Sequence, residues 1–218
     1  LSLGANPNLV NAYGQRAIDE LMDNYGYRMT DTPEIIAALL RKGADPDISP
    51  MAEIEEGPLH LATQYGHKKT VDLLLQHNAK VDGFTRGFSA KTALHIAAEH
   101  GRKDIAEALL QKGANPLKTD SLSRNALHLA AHNGNKDRVG LLLTQDGVDV
   151  NAKDSFGRTP LHHACLREKD DAAAALLAAG ADADAYDNNG FTPLQLDVHM
   201  GNSDILPVFA TKFGDAAD

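Results

Sequence analysis

Ten histidines, one cysteine and thirty carboxylates are the side chains of this 218-residue chain that could ligate a metal, relay a proton or attack an electrophile. Four of the histidines, His60, His95, His128 and His162, follow one another at intervals of 35, 33 and 34 residues. Each stands just after a short apolar start such as Pro58-Leu59 or Ala126-Leu127. A residue repeated at one place in a recurring unit is explained by the unit's architecture, so these four are read as structural. Three more, His100, His132 and His199, fall near the ends of three short helical strings. A metal needs ligands converging within roughly 2 Å of one point, whereas stacked helices lie on the order of 10 Å apart, so convergence is not expected. The chain has no His-Glu-x-x-His, no Gly-x-x-x-x-Gly-Lys-Ser/Thr phosphate loop, no Gly-x-Ser-x-Gly elbow and no dinucleotide fingerprint. Glu53, Glu55 and Glu56 form a solvated acidic cluster with no pocket to raise a pKa. Cys165 sits where its helix favours a small buried residue, and a catalytic thiol would need an exposed, electropositive setting. No enzymatic activity, cofactor or metal is expected.

The elements that position these residues form a repeat. The apolar markers Ile18, Leu59, Leu94, Leu127, Leu161 and Leu194 are separated by 41, 35, 33, 34 and 33 residues, a solenoid period. Each unit opens with Thr or a substitute followed by Pro or Ala, which suits an N-cap hydroxyl and a first helical position needing no amide donor. Gly66, Gly101, Gly134 and Gly201 end the first helix. Strings such as Thr70-Val71-Asp72-Leu73-Leu74-Leu75 make the second, which stops at Asn78, Gly113, Gly147 or Gly180. Asp- and Asn-rich turns then favour a projecting turn or hairpin.

These residues resemble the ankyrin repeat, with its Thr-Pro-Leu-His-x-Ala helix start, mid-repeat Gly, double-Leu second helix and Gly-Ala-Asp finger. The resemblance covers essentially the whole chain and implies an all-α solenoid of helix-turn-helix units with projecting β-turn or hairpin fingers. It also implies that the recurring His hydrogen-bonds across to neighbouring finger backbone. The expected array is one domain, 1–218, with a preceding repeat's tail at 1–10 and repeats at 11–51, 52–86, 87–119, 120–153, 154–186 and 187–218. Residues 1–8 match the closing piece of a repeat, so further repeats are expected upstream.

Departures from the pattern mark particular places. About six extra residues fall within 24–31, a candidate special contact, and two each around Ser49-Pro50-Met51 and Phe84-Thr85-Arg86-Gly87. Glu168 replaces the fifth repeat's Gly, leaving that helix boundary open. Asp197, where Ala is the pattern, and Pro207 fit a terminal cap whose outer face meets water.

Ile54, Phe88, Leu122 and Phe156 recur every 34 residues in turns that should project into water, with Phe84 and Phe191 nearby. They are either packed finger against finger or a line of binding anchors. Beside them, Tyr65, His100, His132 and Arg167 at first-helix ends, with Arg124 and Arg158 on the fingers, resemble the variable concave positions through which ankyrin arrays hold partners. The expected function is binding of a partner protein or peptide by a monomeric array. The alternative is the recognition arm of a larger enzyme or translocated effector. The net charge of -9 disfavours nucleic acid and anionic membrane as partners. No apolar run approaches the roughly 20 residues of a membrane span. A lone cysteine fits a reducing, cytoplasmic setting. Charge is uneven: residues 30–56 carry seven acids against Arg41 and Lys42, residues 182–218 carry seven against Lys212, and 57–181 are mildly basic.

Overall fold

The structure, a computed structural model, describes residues 5–25, 33–47, 56–202, 205 and 207–210. Of the segment 24–31 only 24 and 25 are described, and residues 26–31, those at 49–51, and Ile54, Glu53 and Glu55 lie outside the described residues.

Eleven helices are delimited: α1 (Ala17–Tyr25), α2 (Pro33–Arg41), α3 (Pro58–Tyr65), α4 (Lys68–Gln76), α5 (Ala93–His100), α6 (Lys103–Gln111), α7 (Ala126–Asn133), α8 (Lys136–Leu143), α9 (Pro160–Cys165), α10 (Asp170–Ala178) and α11 (Pro193–His199). A further helical turn occupies 207–210, opening on Pro207, and no strand occurs among the described residues. Helices of six to nine residues are marginal alone and depend on packing against neighbours. The buried faces supply it: Leu94, Leu127 and Leu161 of the first helices and Ile105, Leu109 and Leu176 of the second are essentially inaccessible. Each such side chain contributes roughly 1.5–3 kcal/mol. In α10 the inward positions include Ala172 and Ala173, small enough for close helix approach.

The chain forms two compact units: Leu1–Ala97 with Asp104–Ala114, and Ala98–Lys103 with Asn115–Asp218. In the first, α1 packs on α2 and α3, and α4 packs on α2 and α3. In the second, α9 packs on α7, α10 and α11, while α8 packs on α7 and α10.

The first helices share one N-terminal lock. His60 Nδ1 accepts the Gly57 amide at 3.3 Å, His128 Nδ1 that of Asn125 at 3.2 Å, and His162 Nδ1 that of Thr159 at 3.1 Å. The helix's third residue thereby satisfies an otherwise orphaned amide. With Nδ1 accepting, the proton is on Nε2, which donates to finger carbonyls: Gly83 for His60 (2.9 Å), Ala152 and Arg158 for His128 (3.0 and 3.2 Å), and Phe191 for His162 (3.1 Å). This is the bridge that the resemblance implied. Where the repeat lacks His, Asp19 Oδ2 accepts the Arg16 amide and Gln195 Oε1 accepts that of Thr192. A second link recurs at the finger bases. Asn8 Oδ1 accepts the Asp45 amide, Asp47 Oδ1 that of Lys80 and Asn151 Oδ1 that of Asp182, each at 2.8 Å. Asn8 thus makes the same link as Asp47 and Asn151.

Asp197 differs from expectation. It is completely buried rather than facing water, because it occupies the helix position of Ala62, Ala97, Ala130 and Ala164, all inaccessible, and α11 packs on α9. Burial there needs no following repeat. Cys165, also inaccessible, has its thiol pushed up by burial and further by the Asp197 charge, so it remains a neutral packing residue. The second helix of the fourth repeat ends at Leu143, four residues before Gly147.

The boundary left open at Glu168 is resolved: α9 stops at Cys165 and Glu168 takes the left-handed conformation, φ 53°. A β-carbon is costly there, by about 1 kcal/mol. Glu168→Gly is therefore expected to raise stability by about 1 kcal/mol, or roughly 2–4 °C in the midpoint of a thermal melt. An unchanged or lowered midpoint would show that the Glu side chain compensates for the strain.

Candidate partner-binding surface

The finger turns follow from one local device. An Asp or Asn side chain accepts the amides two and four residues on, and the chain closes with a backbone bond to the fourth. Asp120 Oδ1 accepts from Leu122 and Arg124 (both 2.9 Å), Asp154 Oδ1 from Phe156 and Arg158 (2.8 and 2.9 Å), and Asp187 Oδ1 from Asn189 and Phe191 (2.9 and 3.0 Å). The residue after the tip is left-handed, with φ 59° at Ser123, 72° at Gly157 and 80° at Gly190. At Gly157 a β-carbon would also meet the Asn188 backbone nitrogen at 2.9 Å, so the approach of the next finger excludes larger residues. Successive fingers are joined there: Ser155 donates to the Leu122 carbonyl and Asn188 to that of Phe156, both at 2.9 Å.

This geometry places Leu122 and Phe156 at tips, backbone engaged and side chains exposed. In the first unit the closing bond runs from Thr85 to Lys91, two residues longer than the turn from Asp120 to Arg124. The extra residues throw Phe88 clear of the protein: it is 99% exposed, with Phe84 also exposed nearby. Phe191 is half-buried, its ring stacked on His199 at 4.8 Å. Tyr13 was missed by the sequence reading. Asn11 Oδ1 accepts the Tyr13 and Gln15 amides in the same turn, and Tyr13 is 65% exposed at the tip. The signal was there as Asn11-Ala12-Tyr13-Gly14, which parallels Asp154-Ser155-Phe156-Gly157.

The finger arginines are held. Arg124 Nε and Nη2 both donate to Asp120 Oδ2, at 2.9 and 2.7 Å. Burial pushes the Asp120 carboxyl up, but these bonds outweigh it and hold it below the usual carboxylate range. Arg158 lies over the Phe156 ring, 5.4 Å from its centroid, with Asp187 at 3.7 Å. Among first-helix ends, His100 and Arg167 are exposed, and Tyr65 and His132 are partly so.

In the second unit, three histidine rings line up: His128 and His132 lie 5.4 and 5.9 Å from His163. His163 Nε2 donates to Asp154 Oδ2 at 2.9 Å, and Arg167 Nε donates to His132 Nε2 at 2.9 Å. Burial lowers His128 and His132 to about 4, helped by the His163 charge at His128 and the Arg167 charge at His132. Both are therefore neutral at pH 7. The row is hydrogen-bonded into the fold and offers neither a general base aimed at a substrate nor a ligand set. Among the described residues, no three His, Cys, Asp or Glu side chains are placed to hold a metal ion. No described helix is long and apolar enough to cross a membrane.

A family model described as ankyrin repeats (3 copies) matches residues 27–120 and 127–216. The chain belongs to the ankyrin repeat family. A search of the curated proteins finds no match. Ankyrin repeats are in general non-catalytic protein–protein interaction modules. The helices, locks and fingers described above are accordingly an ankyrin-repeat solenoid.

Proposed function

We propose that this ankyrin chain binds a partner protein or peptide through its finger tips and the adjacent first-helix ends, without catalysis of its own. The observation that carries this reading is the exposed apolar series on the fingers. Tyr13, Phe84 and Phe88 belong to the first unit, and Leu122 and Phe156 to the second. Large apolar side chains held in water by hydrogen-bonded turns are costly unless a partner covers them, and rigid presentation lowers the entropy lost on binding. Tyr65 adds to the first unit's surface; His100, His132, Arg167 and the braced Arg124 and Arg158 give the second a polar surround, to which half-buried Phe191, stacked on His199, also belongs. Ile54 extends the series by spacing alone.

Amide hydrogen exchange of the chain, alone and with a peptide ligand selected on it by display, tests the placement. Exchange is expected to slow at 84–91, 120–124 and 154–158 and at the ends of α5, α7 and α9. Slowing confined to α4, α6, α8 and α10 would move the site to the second helices.

A further inference from the structure

A polar notch in the second unit has chemistry that the finger series does not explain. It is a cavity of about 440 Å³, open to solvent and lined by His132, Asn133, Arg167, Glu168, Lys169 and Asn202. Two cations stand in it with their orientation restricted. Arg167 is tethered through Nε to His132, which leaves its two terminal nitrogens free to present four N–H groups end-on. The Lys169 stem lies across Gly134, so close that a β-carbon there would come within 2.4 Å of Lys169 Cδ. Among the described residues, neither cation has a carboxylate at ion-pairing distance. The turn that carries them holds Glu168 left-handed between Arg167 and Lys169. Strained backbone tends to be retained where it serves a site.

We infer that this notch receives one carboxylate of the bound partner, an Asp or Glu side chain, docked end-on to Arg167 and flanked by Lys169. The inference rests on the protein-binding reading above and deepens it. One carboxylate fits because Arg167 and Lys169 against Glu168 leave a single positive charge, while the chain's net charge of -9 repels a polyanion. A neutral His132 lets Arg167 donate to it without like-charge repulsion, so the guanidinium is set before the partner arrives.

Random dodecapeptides displayed on phage and panned against the wild-type chain supply the probe. An enriched peptide is then synthesised with a fluorophore, both as selected and with its acid changed to the amide. Enriched sequences are expected to share one acidic position. Arg167→Gln and the amide peptide should each weaken binding about tenfold or more, and both together no further, the signature of one contact. Arg167→Lys, which keeps the charge but not the tether, should recover part of the loss, and Glu168→Gln should tighten binding. A thermal melt of each variant checks that the fold persists. Peptides that bind equally well to Arg167→Gln yet lose affinity on Phe88→Ala or Phe156→Ala would overturn the notch and leave the finger reading standing. Peptides that lose affinity with neither set would overturn both readings, as would a failure to enrich any peptide.

Discussion

Lowering the pH from 7 to 4 is expected to cost the chain about 3 kcal/mol of stability through His128 alone. Burial, assisted by the His163 charge, holds His128 at about 4 in the folded protein against 6.5 for the free side chain. Between those values the unfolded chain binds the extra proton and the folded one does not, so stability is full above about 6.5 and falls as the pH drops towards 4. The structural reason is the lock itself. Nδ1 accepts the Asn125 amide and Nε2 already donates to the Ala152 and Arg158 carbonyls, so a proton on Nδ1 displaces that amide, leaving only Asn125 Oδ1, 2.7 Å away, to face it. His60 and His162 are lowered first by burial as well, so the losses accumulate over the repeats. Asp120 and Asp154, held below the carboxylate range, add their losses only below about 3.8. Thermal melts at pH 7, 6, 5 and 4 should show a continuous fall. His128→Gln should be less stable at pH 7 but flatter with pH, because Gln195 shows that an amide oxygen can hold the same cap. A midpoint independent of pH from 7 to 4.5, or an unchanged slope in His128→Gln, would show that the buried His128 does not set the acid limit of stability.

The repeat was legible because its signals are local and recur. The capping residues, the buried Leu ladder and the turn-forming Asp and Asn each act within a few residues of themselves, so spacing alone located them. Features that depend on contacts between distant residues were not legible. Asp197 reads as a solvent-facing departure from Ala until α11 is seen packed on α9, with Asp197 near Cys165. The pairing of His163 with Asp154 spans 9 residues and follows no periodicity, and that of Arg167 with His132, though one repeat apart, depends on how the two helix ends are turned. Tyr13 was hidden by its degenerate repeat, where Asn11 replaces Asp and the next marker stands 41 residues away. Phe88 was found by spacing, but its full exposure follows from the two extra residues in its turn. The notch around Arg167 was legible only as single residues at helix ends.

Phe88 makes almost no contact with its own protein, and Phe156 is braced from one side by Arg158. If they are anchors, their truncation should reduce affinity far more than stability, which is the opposite of the result for packing residues. Replacing both by Ala is expected to weaken partner binding by about 2 kcal/mol, roughly thirtyfold in Kd. Phe88→Ala should move stability by no more than about 0.5 kcal/mol, and Phe156→Ala, which loses the arginine contact, by about 1 kcal/mol at most. The decisive comparison is therefore the Kd of one selected ligand for wild type and for the Phe88→Ala/Phe156→Ala double variant, with thermal melts of both proteins at the same pH and salt. A roughly thirtyfold loss of affinity with nearly unchanged melting is expected. Unchanged affinity with a markedly lowered melting temperature would show that these residues pack the fingers together and that the partner binds elsewhere.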